Sequence, residues 1–204
     1  KVLWAIDAHC IGKQIFELER ERSKYDFLLH STKEYVSEKY HIWFPNSFDD
    51  SLVIPKKHIQ KKYDIGFCGN YVNRKNVLDW LNNNYGLKLD IFVIGDDMVN
   101  AINSYKCHFN LNMNWTKDSA INYRNFETIG CETVLLTSDS SEYCELGFVD
   151  GENCFIYKSI DDLQNKIKFI KNNDVTEIAQ KGFELSKEHT YDKRVEDFIK
   201  EIFK

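Results

Sequence analysis

Residues 122–139, N-Y-R-N-F-E-T-I-G-C-E-T-V-L-L-T-S-D, constrain this chain more than any other stretch. Tyr123, Phe126, Ile129 and Gly130 recur at three- and four-residue spacing and share a helical face, while Arg124 and Glu127 lie three apart on another. Gly130 and Cys131 end that helix, and residues 133–136 form a β-branched, apolar run of the length of a buried strand. A helix that feeds such a strand is a unit of a parallel α/β sheet, and Gly130 is small enough to let the helix approach its neighbours closely. The charged pair is open to two readings. One is a surface ion pair worth a few tenths of a kcal/mol, the other a pair of charged groups held at a ligand pocket.

The same alternation runs through the rest of the chain. Residues 2–6 read as a strand that ends in Asp7, Ala8 and His9, and residues 12–25 as a charged helix. Strand 26–30, a short helix over 32–40 capped by Ser31 or Thr32, and strand 41–44 come next. Both prolines, Pro45 and Pro55, bracket a polar segment, and the basic run K-K-H-I-Q-K-K occupies residues 56–62. Proline fixes φ and removes a donor, so the pair predicts a connection between units. The basic run is either a solvated linker face or a contact for phosphates. Beyond it, strands at 64–68, 89–94, 107–111, 133–136 and 154–157 alternate with helices at 74–85, 98–105 and 123–130. Helices at 160–171, 175–187 and 191–203 close the chain. The predicted fold class is therefore α/β with two Rossmann-like units, the first short and the second a doubly wound parallel sheet. The units span residues 1–55 and 56–190, and residues 191–204 form a helix expected to pack back on the first.

Composition bounds the function classes. A chain of 204 residues with 43% hydrophobic and 14% aromatic side chains has enough apolar surface for a core. Its net charge of −5 has acids and bases interspersed, so no overall field recruits nucleic acid or an anionic membrane. No apolar run approaches the roughly 20 residues that span a bilayer, and no signal peptide is visible, which predicts a soluble, cytoplasmic protein. The six cysteines show no C-x-x-C pair and no metal-ligand spacing, so reduced core thiols and no bound metal are expected. The chain starts at Lys1, without Met, directly in an apolar run, so either upstream sequence is absent or the first unit is reduced. Such a short first unit has open edges, which predicts a possible homodimer.

Candidate chemistry gathers at strand ends, where open α/β sheets bind ligands. Gly69 and Asn70, followed by Arg74 and Lys75, offer backbone N–H groups and cations for a phosphate. They match neither G-x-G-x-x-G nor G-K-[ST], which disfavours dinucleotide and P-loop enzymes. Asn112 and Asn114 lie on one side of the chain after a strand, either in a turn or as contacts to a base or sugar. Glu127 is suited to accept two hydrogen bonds from a ribose diol, with Arg124 facing a phosphate or holding the carboxylate. His9 is either a structural residue or a base oriented by Asp7. No G-x-S-x-G and no Ser/His/Asp set supports a hydrolase.

These residues carry a resemblance. K-Y-D-I-G-F-C-G-N-Y-V-N-R, N-L-N-M-N, Y-R-N-F-E-T-I-G-C-E-T-V-L-L-T, G-F-V-D-G-E-N and E-H-T-Y-D-K-R occur in the order found in the C-terminal half of GT-B glycosyltransferases. The chain resembles most the spore-maturation-protein type of group 1 enzyme, well over residues 60–204 and more faintly before. The resemblance implies a nucleotide-diphosphate sugar as donor, a uridine diphosphate sugar foremost, with no cofactor and no metal. It implies donor binding by Gly69, Asn70, Arg74, Arg124 and Glu127, to which the reading of the residues adds Lys75 and Asn112 at the donor site and Asp7 and His9 as the catalytic candidates. His189, Tyr191 and Arg194 match the motif at which the chain crosses back to the first unit. Related enzymes often carry a second acid eight residues before Glu127, where this chain has Ser119 beside Asp118. The expectation is thus a glycosyltransferase with an unknown acceptor. The alternative is a non-catalytic nucleotide-sugar-binding module or a subunit that works with a partner.

Overall fold

The computed structural model describes residues 1–5, 24–112 and 121–203. Asp7, His9, Asn114, Asp118, Ser119 and nearly all of the predicted helix 12–25 lie outside these residues.

The first unit is a parallel sheet of β1 (Val2–Ala5), β2 (Phe27–His30) and β3 (His41–Trp43), in that spatial order. Val2 stands opposite Phe27, and Leu28 opposite His41. The helix predicted over 32–40 is absent, and only a 3-10 turn, Lys33–Tyr35, forms there. Thr32, at its N-cap, makes no side-chain capping hydrogen bond, and the Lys33 N–H donates to Glu142 Oε1 at 2.7 Å. The turn ends at Val36, whose backbone is extended (φ −81°, ψ 90°).

The segment between the prolines is pressed against the second unit. Asn46 donates its amide to the Ile121 carbonyl at 2.9 Å, and Phe48 is buried. Asn103 clamps the end of the segment, accepting from the Lys56 N–H at 2.7 Å and donating to the Ile54 carbonyl at 3.0 Å. The basic run is also engaged rather than simply solvated. Lys56 pairs with Asp96, Lys57 pairs with Glu132, and Lys61 Nζ donates to Thr133 Oγ1.

The second unit comprises β4 (Tyr63–Gly69), α1 (Lys75–Tyr85), β5 (Lys88–Ile91), α2 (Gly95–Asn103), β6 (Tyr105–Asn110), α3 (Tyr123–Gly130), β7 (Val134–Ser138) and β8 (Phe155–Tyr157). Helices α4 (Ile160–Asn172), α5 (Thr176–Ser186) and α6 (Tyr191–Ile202) complete it. All five strands are parallel in the order β5-β4-β6-β7-β8, with helices on both faces. One apolar layer holds Ile102, Phe126 and Ile129 from α2 and α3, and the other holds Leu78, Leu81, Ile167 and Ile170 from α1 and α4. Two boundaries differ from expectation. The strand predicted to reach Ile94 stops at Ile91, because Phe92 takes a φ of 60°. The helix predicted over 98–105 instead runs over Gly95–Asn103, and Tyr105 opens β6, fully buried opposite Tyr63. Gly66 is required beside that ring, since a Cβ there would lie 2.3 Å from it.

Helix α6 returns to the first unit. Phe198 meets Phe27 and Phe44 edge-on, and Tyr191 meets Trp4 in the same manner. Cys68, Cys107, Cys131 and Cys154 are buried free thiols, and Cys144 is an exposed one. Among the described residues no helix is long and apolar enough to cross a membrane.

Candidate functional site

Strand β4 lies between β5 and β6, so the winding of the second sheet reverses there. The last paired residues of β4 and β6 are Gly66 and His108, yet β4 continues to Gly69 and β6 to Asn110. The carboxyl ends of the two strands therefore separate, and such a crevice is where open α/β sheets take ligands. It holds a cavity of about 290 Å³ lined by Cys68, Gly69, Asn70, Arg74, Asn110, Asn122, Arg124 and Glu127.

Local chemistry positions each wall. Asn122 caps α3, its Oδ1 accepting from the Arg124 N–H at 3.0 Å. The helix then presents Arg124 and Glu127 together, paired at 2.5 Å with side chains about one-fifth exposed (20% and 18%). Burial raises the Glu127 carboxyl pKa above its usual range, and the Arg124 guanidinium opposes the shift without cancelling it. On the other wall, Asn70 Oδ1 accepts from the Val72 N–H at 2.9 Å, turning the chain into the 3-10 turn Val72–Arg74 that leads to α1. Arg74 donates through Nε to the Leu111 carbonyl at 3.1 Å and through Nη1 to the Asn70 carbonyl at 3.3 Å. Burial lowers its pKa, and the neighbouring Arg124 charge lowers it further. Among the described residues Arg74 has no carboxylate partner. Two guanidinium groups thus face a cavity that holds one carboxylate, which leaves it net positive.

Of the residues expected at a donor site, Gly69, Asn70, Arg74, Arg124 and Glu127 come together here. Lys75 does not, because it pairs with Asp79 one helical turn on and lies over the Tyr71 ring at 5.6 Å. Asn112 is also off the wall. Its amide points inward and donates to the Tyr143 hydroxyl at 2.8 Å, and its Oδ1 accepts from Asn110 Nδ2 at 2.9 Å. Asn110 and Asn122 line the cavity instead, and neither was expected there. The N-L-N-M-N alternation places Asn110 and Asn112 on one side, and because β6 ends at Asn110 rather than Leu111, it is the first of them that reaches the lip.

His189 and Arg194 line a second, larger cavity of about 740 Å³ against β3 and α6. His189 Nε2 donates to the Leu146 carbonyl at 2.9 Å, and its Nδ1 accepts from Arg194 Nη2 at 2.5 Å. Its pKa is pulled down to about 4, by burial first and by Arg194 second. The unfolded chain takes up that proton near pH 6.5 and the folded chain only near 4, so the unfolded state holds more protons in between. Stability should be complete above about pH 6.5 and fall by about 2 kcal/mol on the way to pH 5. His108, whose pKa burial lowers strongly, acts in the same direction, while the raised Glu127 carboxyl opposes it. Urea unfolding across this range checks the slope, and His189→Gln should flatten it.

Comparison with known proteins places this geometry. The glycosyl transferase-like family model matches residues 56–200. No curated protein sequence matches the chain. Among solved structures the chain is similar to Anabaena Alr3699/HepE in complex with UDP and glucose, at a TM-score of 0.71 and 12% identity over 99% of this chain and 70% of that one. It is similar to the pneumococcal O-GlcNAc transferase GtfA in complex with UDP and GlcNAc, at a TM-score of 0.63 and 12% identity over 91% of this chain and 46% of that one. Sucrose-phosphate synthase of Thermosynechococcus elongatus aligns at a TM-score of 0.65 and 9% identity, over 92% and 62%. This chain thus spans about half the length of GtfA and more of the other two. These likenesses establish the fold, an α/β arrangement of the GT-B glycosyltransferase type with one three-stranded and one five-stranded parallel sheet. Since the family model covers most of the sequence, including every residue of the crevice, the chain belongs to the glycosyl transferase-like family.

Proposed function

We propose that the protein transfers a hexosyl group from a uridine diphosphate sugar to an acceptor without a metal ion. The observation that carries this reading is the net-positive crevice at the carboxyl ends of β4 and β6, where Arg74 and Arg124 face one carboxylate. Glu127 accepts the two hydroxyls of the donor ribose, and Arg124 holds the carboxylate in place. Arg74, with the Gly69–Asn70 loop before α1, takes the diphosphate. Two guanidinium groups and the α1 dipole offset the charge that develops on the leaving diphosphate, the service a metal ion gives elsewhere. The neutral amides of Asn110 and Asn122 suit hydroxyl groups better than charges. In this reading His9 acts as the base or as a contact to the transferred sugar, with Asp7 orienting it.

A thermal-shift series with nucleoside diphosphates tests the binding half. Uridine diphosphate at 100 times its Kd should add about 2.7 kcal/mol of stability. Slow release of free sugar from a uridine diphosphate sugar tests the catalytic half, and His9→Ala should abolish it while leaving nucleotide affinity nearly unchanged. Binding without sugar release would make the protein a binding module. No stabilisation by any nucleoside diphosphate would overturn the reading.

A further inference from the structure

Behind the crevice, its two walls are joined by one chain of hydrogen bonds. The Cys68 N–H donates to His108 Nε2 at 3.1 Å, which makes that nitrogen the acceptor and leaves the ring proton on Nδ1. Nδ1 lies 2.7 Å from Thr128 Oγ1, and the Thr128 hydroxyl donates to the Arg124 carbonyl at 2.5 Å. Every donor and acceptor therefore runs in one direction, from strand to ring to hydroxyl to helix. His108 and Thr128 are both fully buried, and the imidazole lies nearly parallel to the Phe67 and Tyr105 rings, at 20° and 9°. Among the described residues, its two nitrogens meet the Cys68 N–H and the Thr128 hydroxyl.

The position of this relay matters as much as its completeness. The β4–β6 ladder ends at Gly66 and His108, so the next outlying N–H of β4, that of Cys68, is taken up by a β6 side chain. One end of the relay abuts Gly69 and Asn70, and the other holds the first turn of α3, which carries Arg124 and Glu127. A buried N–H, a buried imidazole and a buried hydroxyl each cost free energy if left unpaired, so the relay resists any change in the gap between the walls.

We infer that His108 and Thr128 are positioning residues that set the spacing between the Gly69–Asn70 loop and the Arg124–Glu127 pair, and so the fit of the crevice to a nucleoside diphosphate, an inference that rests on the donor-site reading above. Thr128→Val keeps the shape and removes the hydroxyl. Calorimetric titration with uridine diphosphate, well below the melting temperature, should show its affinity reduced about threefold to tenfold. Thr128→Ser restores the hydroxyl and should bring the affinity back to within about twofold. A purely structural histidine would lower the melting temperature of Thr128→Val and leave the affinity unchanged, which would overturn the positioning role. A second arm needs no ligand. NMR of isotope-labelled histidine nitrogens near neutral pH should show one buried imidazole protonated on Nδ1, with a signal that moves in Thr128→Val. The opposite tautomer would overturn the relay whatever uridine diphosphate does. Failure of the wild type to bind uridine diphosphate would instead overturn the donor-site reading, and the positioning role with it, even with the expected tautomer in place.

Discussion

Replacing Phe48 with Ala should destabilise the protein by about 3 to 5 kcal/mol, the range for removing a fully packed aromatic ring. The ring is 4% exposed and belongs to the core layer of the second unit that also contains Phe126 and Ile129. It occupies the space a Cβ on Gly130 would need, at 2.7 Å from that position. Its backbone is fixed as well, accepting from the Tyr191 N–H at 3.0 Å and donating to the His189 carbonyl at 3.3 Å. The surrounding wall therefore cannot collapse into the void, which places the cost toward the upper part of the range. Gly130→Ala attacks the same contact from the other side and should also destabilise, because the added methyl meets a ring locked between elements. Urea unfolding of the two variants and their double mutant measures this. The double should cost less than the sum, since both changes act on one contact. A loss below about 1 kcal/mol for Phe48→Ala would mean that the segment between the prolines docks loosely.

That segment shows where the sequence was and was not legible. Pro45 and Pro55 announce a connection, but nothing local says that Phe48 between them fills the space left by Gly130, far along the chain. Gly130 itself was readable as a site of close approach, though its neighbour was not. The strands of the second unit stood out because burial on both faces makes each a short apolar run, and α3 stood out because its two faces differ in character. The predicted helix at 32–40 stops after a single turn because the backbone becomes extended at Val36, a β-branched residue with low helix propensity. Tyr105 failed because one aromatic residue fits the end of a helix and the start of a strand equally well, and only its burial opposite Tyr63 decides. At the crevice, Arg124 and Glu127 were legible from their spacing. Lys75 lies off the cavity wall and pairs with Asp79, four residues on, a competitor visible in the sequence. The His108 relay was not readable at all, because its members are spread over three elements whose contact only the sheet topology creates.

The second large effect concerns the donor site itself. Glu127 is mostly buried, its carboxyl pKa is raised by burial, and its described polar partner is Arg124. A ribose diol offers two donors to this carboxylate, and hydrogen bonds to a charged group are worth about 1.5 to 3 kcal/mol each. Glu127→Gln keeps the shape and removes the charge together with one acceptor, so nucleotide affinity should fall about tenfold or more. Arg124→Ala should weaken binding too. If Arg124 acts chiefly by holding Glu127, the double variant will cost less than the sum of the two singles. An ordinary helix-surface pair behaves differently, losing a few tenths of a kcal/mol in stability and nothing in ligand affinity.

Calorimetric titration of the wild type and Glu127→Gln with uridine diphosphate therefore bears most directly on the central claim that the crevice between β4 and β6 is a nucleotide-sugar donor site. A wild-type dissociation constant at least about tenfold below that of the variant, with both proteins equally folded, is the expected result. Equal dissociation constants would contradict it.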